Sequence, residues 1–377
     1  MSDLQAVILA GGKGTRLRPI TSELPKPLVP VANRPLIIHQ MRHLVAHGVS
    51  DLTLALGYSA EQFDPIREEG ERLGLSVNLI TEPERLETGG ALRYCYDQGA
   101  FDPDRPLFWM NGDVVANPDP RALVDFHRER ESAVTLWLTA VRAVSEFGVL
   151  EIDDEGFVRS FLEKPEPDET ESNFVNAGIL VLDPHVLERI PSETFFSFED
   201  ELLPDMVVDD EPVFGKFDGG YWLDTGRPDD YLAANRHVLE GRLGWEPRGE
   251  REGNARVWRG EGVEADEVGI IQPAVLGDGV RIEPTAQLFG RTVLGDGCRV
   301  FAGAELDGSV LFADAEIGED AQVIDSVVCT GAVIGSGTVV SNAVVGAGAR
   351  IGPRNELRGL RLWGGIELGE RELVCDQ

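Results

Sequence analysis

Lysine is nearly absent from this sequence of 377 residues. Lysine and arginine together number 34, and the lysines among them are Lys13, Lys26, Lys164 and Lys216. With 66 aspartates and glutamates, the formal net charge is −32. This charge argues against nucleic acid or an anionic membrane as a partner, because both are polyanions. It favours a halophile-like protein, whose acidic surface stays solvated at high salt.

Long apolar runs and paired cysteines are also lacking. No stretch approaches the roughly 18 apolar residues of a membrane-spanning helix, and the amino-terminal MSDLQAVILAGG has no basic signal-peptide region. This predicts a first strand and a soluble, cytoplasmic chain. The cysteines, at positions 95, 298, 329 and 375, show no CxxC spacing, which predicts reduced thiols rather than disulfides or zinc.

Strand-like and helix-like stretches alternate through residues 1–240. QAVILA, DLTLALGY and LFWMNGD are typical of buried strands, and PLIIHQMRHLVAHG of an amphipathic helix. This order predicts an α/β domain, a sandwich with a mostly parallel sheet and a ligand crevice at the carboxyl ends of the strands. Residues 241–262 are polar and glycine-rich, which predicts a linker.

A six-residue repeat fills residues 263–377. Aliphatic or aromatic residues recur at Leu276, Ile282, Leu288, Leu294, Val300, Leu306 and Phe312, and after a slip of one residue at Ile317, Val323, Ile334, Val340, Ile351 and Leu357. This period predicts a solenoid of short strands, a left-handed parallel β-helix. The last histidine is His237, so the repeat lacks a histidine base for acyl transfer.

A glycine-rich loop, LAGGKGTRLRP, follows the first predicted strand. Backbone N–H groups of such a loop can converge on phosphate oxygens. Its spacing matches neither the dinucleotide GxGxxG motif nor the Walker A motif, so oxidoreductase and P-loop ATPase functions are disfavoured.

The longer stretch LAGGKGTRLRPITSELPKPLVPVANRPLI resembles the signature of sugar-1-phosphate nucleotidylyltransferases. The resemblance continues in the family's order with ETGGALR (87–93), NGD (111–113), FGV (147–149), EKP (163–165), NAGI (176–179) and YWLDTGRPDDYLAAN (221–235). It implies a Rossmann-like nucleotidyltransferase domain over the first 240 residues. Among family members, those most similar in these motifs are mannose-1-phosphate guanylyltransferase-like chains with a hexapeptide-repeat tail.

The resemblance implies that a sugar 1-phosphate oxygen attacks the α-phosphate of a nucleoside triphosphate and pyrophosphate leaves. The loop Gly11, Gly12, Gly14 and Thr15 would hold the triphosphate. Arg16 would stabilise charge on the phosphates, and Lys26 would lie beside the α-phosphate and the sugar phosphate. The role of Lys13 is left open.

By the same resemblance, Asp113 and Asp224 would hold a catalytic Mg²⁺, which suits a hard cation bound by few carboxylates plus substrate. On the sugar side, Lys164 would neutralise the phosphate, Glu163 and Asn176 would bind hydroxyls, and Gly148 would leave room for the ring. The alternative for Glu163 and Asn176 is ordinary hairpin polarity.

The base would lie against Leu9, Gly11 and Gly12, with Gly89 nearby. Glu82 is a candidate base reader, because a carboxylate accepts hydrogen bonds and guanine offers two adjacent N–H donors. The alternative is that Glu82 caps a turn before Pro83. The hypothesis favours GTP and mannose 1-phosphate giving GDP-mannose over UTP or dTTP with glucose 1-phosphate.

Two further alternatives concern the whole chain and one of its helices. A non-catalytic regulatory homologue is disfavoured because the arginine, lysines and metal aspartates are all present. His39, His43 and His47 share one helix face at a metal-compatible spacing, but core-edge histidines are the favoured interpretation. The expected partners are an NTP and a sugar 1-phosphate, and a homo-oligomer through the β-helix is expected.

Overall fold

The computed structural model describes residues 4–57, 59–166, 169–265 and 269–372. By compactness the chain divides into two units. The sheet unit comprises Met1–Gly12 and Gln40–Trp222, and the β-helix unit comprises Lys13–His39 and Leu223–Gln377. The segment 13–39 thus packs with the carboxyl-terminal part of the chain, although the sequence-based boundaries at 240 and 262 follow the chain without interruption.

Short strands and six α-helices make up the described residues before position 240. The strands are β1 Gln5–Leu9, β2 Pro30–Val31, β3 Arg34–Pro35, β4 Asp51–Leu56, β5 Ser76–Thr81, β6 Leu107–Asn111, β7 Val114–Ala116, β8 Val134–Ala140, β9 Gly148–Ile152, β10 Val158–Glu163, β11 Phe174–Leu182, β12 Val213–Phe217 and β13 Trp222–Asp224. The helices are α1 Leu36–Ala46, α2 Asp64–Arg72, α3 Glu87–Asp97, α4 Pro120–Glu129, α5 Leu203–Val208 and α6 Pro228–Leu239. Shorter helical turns lie at Thr15–Leu17, Lys26–Leu28, Ala60–Phe63, Pro184–Arg189 and Phe198–Leu202.

The sheet unit is built on one nine-stranded sheet in the order β10-β9-β11-β6-β1-β4-β5, with β8 beside β11 and β12 beside β8. Strands β6, β1, β4 and β5 are parallel neighbours, and β11 enters antiparallel to β6. Strand β1 is apolar after Gln5 because both of its faces are covered, as in other buried parallel strands. The predicted α/β architecture is confirmed.

From residue 250 onward, the β-helix unit forms three sheets of short strands, and the pairs between successive coils are parallel. Its strands are β14 Glu250–Arg251, β15 Val257–Arg259, β16 Gly269–Ile270, β17 Ala274–Leu276, β18 Arg281–Ile282, β19 Gln287–Leu288, β20 Thr292–Leu294, β21 Arg299–Val300, β22 Glu305–Asp307, β23 Val310–Leu311, β24 Glu316–Ile317, β25 Gln322–Ile324, β26 Val327–Val328, β27 Val333–Ile334, β28 Val339–Ser341, β29 Val344–Val345, β30 Arg350–Ile351, β31 Glu356–Arg358, β32 Arg361–Leu362 and β33 Glu367–Leu368. This is the predicted left-handed parallel β-helix. Its core takes one aliphatic residue from each short face, including the predicted Leu288, Leu294 and Leu306.

One predicted inward residue is wrong. Phe312 continues the six-residue spacing, but Leu311 occupies the core position instead. Strand pairing places Leu294 beside Leu311, seventeen residues on, whereas Leu276 pairs with Leu294, eighteen residues on. The coil is therefore one residue shorter, and Phe312 turns to pack its ring 6.2 Å from that of Tyr231.

The cysteines in the described part of the chain are free thiols, as predicted. Cys95, Cys298 and Cys329 are buried, and burial raises the pKa of each thiol to about 12. Cys375 lies outside the described residues. Among the helices that the structure describes, none has the length and apolar character needed to cross a bilayer.

Candidate active site

The carboxyl ends of the parallel strands in the sheet unit carry several of the predicted site residues. Leu9 ends β1, and its carbonyl accepts the N–H of Gly112 over 2.8 Å. This bond brings the turn that bears Asp113 to the end of β1. Glu82 follows β5, where its N–H donates to the carbonyl of Leu56 over 2.9 Å. These residues therefore share the sheet edge at which an α/β fold binds ligands.

Glu82 lies against the glycine loop. Its Oε1 is 3.0 Å from where a Cβ on Gly11 would stand, and equally close to that of Gly57. A Cβ on Gly57 would also lie 2.8 Å from the carbonyl oxygen of Gly11, so only glycine allows these two loops to meet. Gly57 was missed by the sequence analysis, although its place directly after β4 was a signal.

The Glu82 carboxylate also makes the local contact that the alternative interpretation predicted. Its Oε2 accepts the backbone N–H of Leu86 over 3.1 Å, just before α3 begins. Burial raises the pKa of Glu82, against the smaller opposing effect of this hydrogen bond. One oxygen therefore caps the turn while the other faces Gly11, so capping and base reading are compatible roles.

The turn that carries Asp113 is held from beneath by a buried glutamine. Gln40 is fully buried, and its Nε2 donates to the carbonyls of Asn111 and Val114 over 3.0 and 2.9 Å. These carbonyls flank Gly112 and Asp113. Sequence reasoning missed Gln40, because it lies within an apolar helix face and nothing in its spacing marks it.

The predicted sugar-side residues meet where β9 pairs with β10. Gly148 is the direct partner of Glu163, and a Cβ on Gly148 would lie 2.7 Å from Glu163 Oε2. Lys164 Nζ donates to Glu163 Oε1 over 2.5 Å. On β11, Asn176 turns its Oδ1 to the N–H of Gly178 over 3.0 Å. The absent side chain of Gly148 therefore makes room for the Glu163 carboxylate itself.

The glycines of ETGG serve packing. Gly89 is buried, and a Cβ there would lie 3.1 Å from the carbonyl oxygen of Phe196. A Cβ on Gly90 would be closer still to the backbone, 2.2 Å from the carbonyl oxygen of Thr194. These approaches explain both glycines without a nucleotide, and a base contact by Gly89 remains a prediction.

The neighbouring Thr88 leads to a carboxylate that the sequence analysis missed. Thr88 Oγ1 donates to Glu199 Oε2 over 2.5 Å. Burial raises the pKa of Glu199, and the charge of Glu163 raises it further. Glu199 is therefore near enough to Glu163 to feel its charge, and the sequence analysis did not single it out.

In the β-helix unit, Asp224 forms ion pairs with Lys26 and Arg16, the two predicted catalytic cations. Lys26 Nζ lies 3.3 Å from Asp224 Oδ1, and Arg16 Nη2 lies 3.5 Å from Oδ2. Lys26 is buried, whereas Arg16 is exposed. Gly226 permits this cluster, because a Cβ there would stand 3.0 Å from Asp224 Oδ2 and 3.2 Å from Arg16 Nη2.

The remaining residues of the glycine loop lie next to this cluster in the chain. Gly14 has φ of 57°, a left-handed conformation that favours glycine. A Cβ on Gly14 would be 3.0 Å from Cβ of Lys26. The carbonyl of Gly14 accepts a hydrogen bond from Thr21 Oγ1 over 2.7 Å. Gly12, Lys13 and Thr15 are exposed, and around Gly12 a Cβ would meet nothing within 4 Å. The loop is open where a phosphate chain would lie.

The histidines of α1 contact backbone carbonyls. His39 Nε2 pairs with the carbonyl of Val31 over 2.9 Å, and its ring stacks on Trp245 at 4.8 Å. His43 Nε2 contacts the carbonyl of Pro118 over 2.5 Å, and burial lowers the pKa of His43. Within the described ranges, no group of three histidines, cysteines, aspartates or glutamates could hold a metal ion. Asp113 and Asp224 are each half-buried, and their predicted role as metal ligands stays a prediction.

Comparison with known proteins assigns the family. Residues 5–241, more than half of the chain, match the nucleotidyl transferase family model. This chain belongs to the nucleotidyl transferase family. Residues 270–364 match the C-terminal domain of GMPPB. The resemblance to sugar-1-phosphate nucleotidylyltransferases is thereby confirmed, and so is the enzyme class.

Individual relatives of this nucleotidyl transferase cover most of its length. A mannose-1-phosphate guanylyltransferase of Mycobacterium tuberculosis is 34% identical over 310 residues, covering 82% of this chain and 80% of the relative. The mannose-1-phosphate guanylyltransferase catalytic subunit beta of Drosophila melanogaster is 38% identical over 229 residues, covering 60% and 61%. The crystal structure of HddC from Yersinia pseudotuberculosis complexed with GMP-PN matches with a TM-score of 0.54 and 28% identity, covering 63% of this chain and all of that one.

Proposed function

We propose that this nucleotidyl transferase joins GTP and mannose 1-phosphate, giving GDP-mannose and pyrophosphate. The observation that carries the choice of base is the Glu82 carboxylate oxygen beside Gly11. Guanine presents two adjacent N–H donors to such an acceptor, whereas uracil and thymine present a donor beside an acceptor. The names of the relatives and the guanine nucleotide analogue in the HddC structure support the same choice.

The chemistry needs no nucleophile from the protein. A phosphate oxygen of the sugar 1-phosphate forms a bond to the α-phosphorus of GTP, and the bond from that phosphorus to the bridging oxygen of pyrophosphate breaks. Both reactants are polyanions, so the barrier falls when cations lie where charge builds up. Arg16 would contact the triphosphate through its forked donors, and buried Lys26 would face the α-phosphate.

Members of this family use a divalent metal, and we propose that it is Mg²⁺ held by Asp113 and Asp224. The ion would supply charge neutralisation to the phosphates. Asp224 also pairs with Lys26 and Arg16. The carboxylate would therefore orient both cations before the triphosphate arrives.

On the sugar side, Glu163 and Asn176 would accept hydrogen bonds from hydroxyls, and Lys164 would pair with the sugar phosphate. Lys164 Nζ also donates to Glu163 Oε1, so the ammonium that would meet the phosphate lies beside the carboxylate that would meet the hydroxyls. Glu199, close to Glu163, is a further acceptor for a sugar hydroxyl.

The test is pyrophosphate release from the purified chain with Mg²⁺, measured for GTP, UTP, dTTP and ATP, each against mannose, glucose, galactose and N-acetylglucosamine 1-phosphates. We expect the highest kcat/KM with GTP and mannose 1-phosphate. Higher kcat/KM with UTP or dTTP and glucose 1-phosphate would contradict the choice of substrates. No turnover with any pair, at low and at molar salt, would favour a non-catalytic homologue.

We also propose that the enzyme acts in the cytoplasm as a homo-oligomer joined through the β-helix, with domain boundaries at 1–240, 241–262 and 263–377. The β-helix exposes Ile271 and Trp363, each more than half accessible. Sedimentation at micromolar concentration should show a species heavier than the 41.1 kDa chain. A monomer at every concentration would contradict the oligomer.

A further inference from the structure

A hydrogen bond joins the end of the β-helix to the glycine loop. The guanidinium of Arg361 donates from Nη1 to the backbone carbonyl of Arg16 over 3.1 Å. Arg361 opens β32, the terminal strand of its eight-stranded sheet. Both residues belong to the β-helix unit, although 345 positions separate them.

Two further observations relate segment 13–39 to earlier coils of the β-helix. Asn33 Nδ2 donates to the carbonyl of Leu294 over 2.5 Å. Ten residues earlier, Glu23 lies close enough to Cys329 for its charge to add to the effect of burial on that thiol. Residues nearer the amino end of the segment therefore lie near coils that come later in the β-helix.

The strand register gives the spacing of these contacts. Successive partners in the eight-stranded sheet are Leu294, Leu311, Val328, Val345 and Leu362. Each step is one coil, or roughly 4.8 Å along the stack. Asn33, Glu23 and Arg16 thus meet the coils of Leu294, Val328 and Leu362 in turn. Segment 13–39 thus runs along the β-helix in the direction opposite to the order of the coils.

The bond from Arg361 completes the hydrogen bonding of the turn Thr15–Leu17. The carbonyl of Thr15 accepts the N–H of Arg18 over 3.3 Å, and that of Leu17 accepts the N–H of Ile20 over 3.1 Å. The intervening carbonyl, of Arg16, accepts from Arg361. A charged donor makes a stronger bond than a neutral one, and this bond acts on the exposed residue of the turn, since Leu17 is buried and Arg16 is not.

We propose that Arg361 is a positioning residue for nucleotidyl transfer, fixing the Arg16 carbonyl so that the Arg16 guanidinium stays beside Asp224. The β-helix then has a part in the reaction that is separate from oligomer formation. The kinetic consequence rests on the proposed function, whereas the structural consequence for the loop does not.

The test compares Arg361→Gln with Arg358→Gln. Arg358 lies on the same coil and pairs with Glu356, so it controls for the loss of one exposed arginine. Hydrogen exchange of peptides covering residues 10–20, without substrates, should be several-fold faster in Arg361→Gln alone. Arg361→Lys, which keeps a charged donor, should restore most of the protection. The melting temperatures of all three should stay close to that of the unaltered chain.

Turnover provides the second readout. Arg361→Gln should lower kcat about three- to ten-fold, the effect of one hydrogen bond, while KM for the sugar 1-phosphate stays unchanged. Unchanged exchange in residues 10–20, or equal effects in Arg358→Gln, would overturn the proposal. Because exchange is measured without substrates, failure of the proposed reaction would leave that result intact.

Discussion

The ammonium of Lys26 lies 3.3 Å from Asp224 Oδ1, and the lysine side chain is buried while the aspartate is partly exposed. A carboxylate beside a buried ammonium offsets part of the cost of removing that charge from water. In a sequence that nearly avoids lysine, this cation is held ready by its partner at a place where phosphate charge is proposed to gather.

Replacing Lys26 by methionine should therefore reduce kcat at least about 100-fold, the scale of losing one group that stabilises the transition state. Lys26→Arg should recover part of this, because the charge returns on a larger head group. Lys216→Met is the matched control, since Lys216 Nζ donates to the carbonyl of Ala122 over 2.7 Å and has no proposed role in the reaction. Pyrophosphate release at saturating substrates measures all three, and equal losses at both lysines would contradict the role of Lys26.

The second prediction concerns Glu82 and pH. Burial raises the pKa of Glu82, so as pH falls through that raised value the carboxylate takes up a proton and loses acceptor capacity. The ratio of kcat/KM for GTP to that for UTP should fall as pH is lowered. Glu82→Gln should reduce this ratio about 10- to 100-fold at pH 7 and remove its pH dependence. A ratio that keeps its value in Glu82→Gln would remove the basis for guanine.

Gln40 gives a third prediction, about the turn that bears Asp113. Gln40→Met keeps the shape and removes two buried hydrogen bonds, so the free energy of unfolding should fall by roughly 1–3 kcal/mol. The Mg²⁺ concentration for half-maximal activity should rise several-fold, because Asp113 is less well placed.

Gln5 offers the control for that experiment. It is also buried, and its Nε2 donates to the carbonyls of Asp102 and Arg105 over 2.8 Å each, at the amino end of β1. Gln5→Met should lose similar stability without a change in the Mg²⁺ requirement. If both variants need more Mg²⁺, general loosening of the sheet unit would explain the effect.

The fourth prediction concerns Gly148. Gly148→Ala would bring a Cβ within 2.7 Å of Glu163 Oε2 and of Phe161 Cζ, so one of them must move. We expect KM for the sugar 1-phosphate to rise about tenfold or more, while KM for the NTP changes little. Gly269→Ala is the sterically free control, because its Cβ would meet nothing closer than 3.8 Å. A rise in both KM values would point to a general distortion instead.

Much of this molecule follows from local pattern. The strand QAVIL, the carboxyl-edge position of Asp113 and the inward aliphatics of the repeat were predictable, because burial imposes a period that the sequence must keep. The family motifs singled out Gly148 and Glu163, but their direct pairing on β9 and β10 appears only in the structure. The shortening of the repeat by one residue was also predicted, but it was placed after Phe312, whereas Leu311 already occupies the core position.

The rest depends on contacts between distant segments. Gln40 and Arg361 look ordinary in sequence, because their roles arise only when the backbone carbonyls of Asn111 and Arg16 are brought to them. Gly57 likewise has meaning only beside Gly11. Side chains that bind backbone carry no motif of their own, since any residue offers the same carbonyl.

Residues 13–39 pack with the β-helix, which is synthesised last, and this affects folding during translation. A ribosome adds roughly 5–20 residues per second, so Arg16 leaves the tunnel tens of seconds before Arg361 is synthesised. During that interval its β-helix partners are made one after another: Leu294, which binds Asn33, is synthesised before Arg361, which binds Arg16. A message cut short before Arg361 would therefore yield a chain in which the Arg16 carbonyl lacks this donor, and the turn Thr15–Leu17 would gain its bond from the β-helix only at the end of translation.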